Sequence, residues 1–138
     1  MSDNTGRTGT LVGVFALLHG IFFVFLGGVT VIVTLFGLPF MSQSEGIWAL
    51  VGVVLMLLVG LVLVATAVSV FLGKDWAWDL MTVVYAIQAG MTGLDLIIGP
   101  RSFYGVFLLV LFGGIAWYSV QRADRLSFDR GSIPLPGN

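Results

Sequence analysis

The chain has no cysteine, a single histidine, a single lysine and only 9% charged residues over 138 positions. Without cysteine there can be no disulfide, thiolate metal site, iron–sulfur cluster or cysteine nucleophile. One histidine cannot complete a haem or metal site with no acidic residue at its own depth, so no metal and no cofactor is expected. A formal net charge of −1 leaves no basic field of the kind that holds nucleic acid, which is therefore not expected as a partner. The scarcity of charge excludes an ordinary soluble domain, in which roughly a quarter of residues are charged.

What the chain has instead is apolar surface: 58% hydrophobic residues and 19 glycines, with a mean hydropathy of +1.07. Four apolar runs, 11–38, 47–72, 78–98 and 103–120, carry no charge except Asp79, at the very start of the third, and Asp95. As helices they would measure about 42, 39, 32 and 27 Å against a hydrocarbon core of roughly 30 Å. Each can span a bilayer, the first two with tilt or protrusion. Backbone groups in lipid must be satisfied within the segment, and transmembrane strands would be shorter and alternating, so the runs are helices. The expected fold is all-α, an integral membrane four-helix bundle running up-down-up-down over residues 1–121, followed by a polar, extended cytoplasmic tail at 122–138. The first run is too long for the apolar stretch of a signal peptide, and no A-x-A-like cleavage site follows it, so it is expected to be retained.

The punctuation fits these runs. Gly37, Pro39 and the polar segment 41–46 close the first. Ser42 and Glu45 have capping-box spacing for the second helix, Gly73 offers a left-handed stop after it, and Asp75 and Ser102 are placed to cap the third and fourth. Arg7, Lys74, Arg122, Arg125 and Arg130 lie at one end of the layout and Arg101 alone at the other. This asymmetry places both termini in the cytoplasm. Trp76, Trp78, Trp117 and Tyr118 would then mark the inner interface, and Trp48, Phe103 and Tyr104 the outer one.

In lipid, helices approach closely through small residues. Gly13, Gly20 and Gly27 recur every seven positions on the first helix, and the third carries the pairs Ala86/Gly90 and Ala89/Gly93. These faces serve either packing within the bundle or association with a second copy or a larger membrane complex.

Polar groups inside the spans are few. Tyr85, Gln88, Thr92 and Asp95 fall within an arc of about 80° on the third helix. This stripe either lines a cavity for a polar substrate, an ion or a quinone headgroup, or supplies interhelical hydrogen bonds. Asp95 sits near the outer end, where it either pairs with Arg101 or binds a cation. His19 lies about 12 Å from the inner end of the first helix and Asp95 about 26 Å from that of the third, so a His–Asp relay is disfavoured. By depth His19 matches Tyr85, Gln88 and Thr66, as a hydrogen-bonded core histidine or as part of a lipid or quinone site. No hydrolase, phosphate-loop or zinc-protease motif is present, and an enzyme is not expected.

At the inner corner Phe71-Leu-Gly-Lys-Asp-Trp-Ala-Trp78, the chain resembles small four-helix prokaryotic membrane families of unknown function, among them the DoxX-like group. The resemblance covers the four-span layout, implies a prokaryotic plasma membrane and electron-transport partners, and carries over no functional residue. The expected role is that of a small accessory or structural subunit associating through its glycine-rich helices. The alternatives are an oligomeric transporter or channel and a lipid- or quinone-binding protein.

Overall fold

A computed structural model describes residues 2–100 and 102–131, with the side chains of 2–5, 127 and 129–131 left undescribed. Among the described residues it is all-α: α1 Ser2–Gly37, a 3₁₀ turn Leu38–Phe40, α2 Gln43–Phe71, α3 Trp76–Ile98 and α4 Phe103–Gly131. All four α-helices are long and apolar enough to cross a membrane. Phe25, Phe36 and Phe103 are 70%, 78% and 90% exposed, a surface suited to acyl chains rather than water. The molecule is a small helical membrane protein.

All four helices extend past their expected bounds at one end, α1 and α4 by the most. α1 starts at Ser2 rather than at residue 11, and α4 continues to Gly131. Residues 122–131, expected to be extended, are therefore helical. Polarity ends the apolar span at Val120, but nothing there breaks a helix until Gly131 and Pro134. The remainder of the expected tail, 132–138, lies outside the described residues.

The chain divides into two compact units, 1–71 and 72–138. In the first, α1 and α2 form an antiparallel hairpin whose register is read from its glycines. A Cβ at Gly13 would meet Phe71, at Gly20 Val64 and Gly60, at Gly27 Leu57, and at Gly46 Leu38. The connection is set by Pro39 in the 3₁₀ turn and by a complete capping box. The Ser42 amide and hydroxyl both donate to Glu45 Oε2, at 2.9 and 2.7 Å, and the Glu45 amide donates back to Ser42 Oγ.

In the second unit α3 and α4 are likewise antiparallel. Trp78 packs edge-on against Tyr118, Tyr85 against Phe112, and Gly93 against Leu109. Gly73 takes the left-handed conformation expected of it, with φ +71°. Asp75 occupies the N-cap position of α3, but its backbone is helical and its side chain makes no capping hydrogen bond. The lone turn after Gly73 keeps helical geometry through the Lys74 carbonyl, which accepts from the Ala77 amide, so a side-chain cap has no place there. Ser102 does cap α4, its hydroxyl accepting from the Gly105 amide at 3.1 Å.

Candidate functional site at the corner of the second hairpin

The polar residues of α3 separate by depth and environment. Tyr85 is fully buried and tilted against the Phe112 ring at 5.8 Å. One turn on, Gln88 has both ends of its amide shielded from solvent with no hydrogen-bond partner among the described residues. A buried amide without partners costs on the order of 1–3 kcal/mol. Thr92 donates its hydroxyl to the Gln88 carbonyl at 2.9 Å. The interhelical bond considered for Thr92 is therefore replaced by one within its own helix. Thr10, Thr30, Thr66, Thr82 and Ser119 do the same, because an i−4 carbonyl is always within reach of a helical hydroxyl, whereas a partner helix need not present an acceptor. Asp95, the last member, is exposed.

Thr92 and Asp95 meet at a groove of about 390 Å³ at the α3–α4 corner, lined also by Leu96, Pro100, Ser102 and Tyr104. Two close approaches shape it. The Gly99 amide donates to the Asp95 carbonyl at 2.7 Å, and a Cβ on Gly99 would lie 2.7 Å from that same oxygen. At Gly105 a Cβ would fall 2.7 Å from Leu96 Cδ2, so glycine lets the first turn of α4 close on the end of α3. One carboxylate and several hydroxyls beside apolar walls can hold a small polar or cationic group. The pairing of Asp95 with Arg101 falls outside the described residues.

The five residues singled out in the sequence fall in both units. Thr92 and Asp95 share the groove, Gln88 and Tyr85 lie deeper in the same hairpin, and His19 belongs to the first unit. There the imidazole is half-buried between the rings of Phe15 and Phe23, at centroid distances of 5.6 and 4.8 Å. From the sequence, Ser102 and Tyr104 stand out only as a cap and an interfacial aromatic. The signal that could have joined them to the groove is the Gly99-Pro100 corner, which folds the two helix ends together. Among the described residues no three His, Asp or Glu side chains approach closely enough to hold a metal ion.

The small-residue faces differ as well. Gly13, Gly20 and Gly27 all turn toward α2. On α3, Ala89 is half-buried and Gly93 meets Leu109, whereas Ala86 is exposed and nothing lies within 4 Å of a Cβ on Gly90. No family model, curated protein or solved structure matches the chain.

Proposed function

We propose that this protein is a non-enzymatic accessory subunit of a prokaryotic plasma membrane, with both termini cytoplasmic, that works by lateral association through α3. The observation that carries the reading is the open notch of Ala86 and Gly90, flanked by exposed Val83, Ile87 and Leu94. Gly13, Gly20 and Gly27 of α1 are engaged within their own hairpin, whereas this small-xxx-small pair is open and lets another helix backbone come close. The partner is a second copy or a larger membrane complex, electron-transport proteins among them. Fluorescence energy transfer between labelled chains in liposomes, together with native mass spectrometry from mild detergent, tests it. Association should be lost in Gly90→Leu and kept in Gly28→Leu, whose position is equally open on α1. Equal association in both variants, or none in the wild type with any membrane partner, removes the reading.

A second reading rests on the corner groove, with Asp95 and Thr92 lining the path of a small transporter or channel. Asp95→Asn should then abolish cation flux into proteoliposomes while leaving association intact. His19, set between the rings of Phe15 and Phe23, carries the lipid or quinone reading, for which His19→Ala should lower binding of an added quinone.

A further inference from the structure

The end of the second hairpin opposite the groove carries a separate feature. Trp78, near the start of α3, is 7% exposed. Tyr118 of α4 meets it edge-on at 5.9 Å, and Arg122, one turn further, places its guanidinium carbon 5.9 Å from the centre of the same ring. Residues four apart share a helix face, so Tyr118 and Arg122 together grip Trp78. This cation–π contact holds the guanidinium beside the indole.

It leaves a polar requirement unmet. Arg122 Nε is shielded from solvent and finds no hydrogen-bond acceptor among the described residues. Buried donors in folded proteins are nearly always paired, and a cationic donor gains most from an anionic oxygen. Arg122 lies two residues, about 3 Å along the axis, beyond the last apolar residue of the span, Val120. That is headgroup level, where the exposed Trp76 and Trp117 also stand. The hairpin register sets Lys74 and Arg125 at the same end, but Asp75, Asp79 and Asp124 are there too. The formal charges of these five and Arg122 cancel, so among the described residues there is no broad basic field and an anion would be held by the Arg122 guanidinium.

We propose that Arg122, braced on Trp78, binds the phosphodiester of an anionic phospholipid at this membrane interface. The half-buried side chain turns its guanidinium outward so that Nε, shielded in this structure, donates to phosphate oxygens, and the apolar flank of α4 below it receives the acyl chains. Geometry rather than net charge makes the site, so a lysine, which keeps the charge and loses the planar fork, should not replace the arginine.

The test is native mass spectrometry of the whole protein released from nanodiscs of phosphatidylglycerol and phosphatidylcholine, with inorganic phosphate alone as a separate arm. The expected result is one retained phosphatidylglycerol per chain. Retention should fall about tenfold or more in Arg122→Gln and in Arg122→Lys, the equivalent of one charge-assisted hydrogen bond, and stay unchanged in Arg125→Gln. Helicity by circular dichroism and the emission of tryptophan verify that each variant is folded; Arg122→Lys decides the matter if Arg122→Gln is not. Retention that survives in Arg122→Lys, or that falls equally in Arg125→Gln, overturns the proposal. So does uptake of inorganic phosphate in place of lipid, which would assign the fork to a soluble anion.

Discussion

A methyl group added at Gly20 would lie 2.8 Å from the Val64 amide nitrogen and 3.0 Å from the Gly60 carbonyl; one at Gly60 would lie 2.9 Å from the Val24 amide nitrogen. These are backbone atoms on both sides, so the helices themselves would have to separate. Gly20→Ala and Gly60→Ala should each cost about 1–3 kcal/mol, measured by steric trapping in bicelles. At Gly27 the obstacle is the Leu57 side chain, which can change rotamer, so Gly27→Ala should cost less than either. Gly28 and Gly52 face open space, and alanine there should be neutral or slightly stabilising through helix propensity. The seven-residue spacing on α1 was visible in the sequence, but Gly60 was not singled out. Its importance comes from antiparallel register, which a run of valine and leucine around one glycine does not announce. Gln88 gives the converse prediction. If its amide serves no ligand, Gln88→Met removes an unpaired buried group and should raise the unfolding free energy by about 1–2 kcal/mol. A loss of stability or of association would show that the amide has a partner in the membrane.

At the level of elements, the two turns that were read most directly are those whose side chains close on their own backbone. The Ser42–Glu45 box and the Ser102 cap follow from residue type and spacing alone. Gly73 follows from the left-handed φ that a helix stop requires. Gly73→Ala should destabilise the protein by about 1–2 kcal/mol although no atom obstructs the methyl, and Gly73→Asn should recover part of that loss; thermal unfolding in detergent compares them. The four spans were legible because lipid demands length and apolarity, which composition displays. The extension of α4 was not, since the hydropathy boundary at Val120 and the helix boundary at Gly131 answer to different physics: one to the solvent, the other to backbone geometry. The groove was half legible for a related reason. Periodicity placed Thr92 and Asp95 on one face of α3, but only the fold of the Gly99-Pro100 corner brought Ser102 and Tyr104 to them.

For the whole molecule, the absence of cysteine is an experimental opening. Single cysteines introduced as Asn4→Cys, Ser44→Cys and Lys74→Cys should report the sidedness implied by the Lys and Arg asymmetry. Position 44 should react with an impermeant maleimide added to intact cells, and positions 4 and 74 only after permeabilisation; the reverse pattern would invert the topology. The division of the chain at residue 71 also bears on how the protein is made. The close approaches at the glycines of α1 and α2 are made by residues up to Phe71. At synthesis rates of roughly 5–20 residues per second, the ribosome needs several seconds to complete the rest of the chain. The first hairpin can therefore close in the bilayer during translation, before α3 and α4 exist, and translation arrested after the second span should already yield a protease-resistant pair of helices.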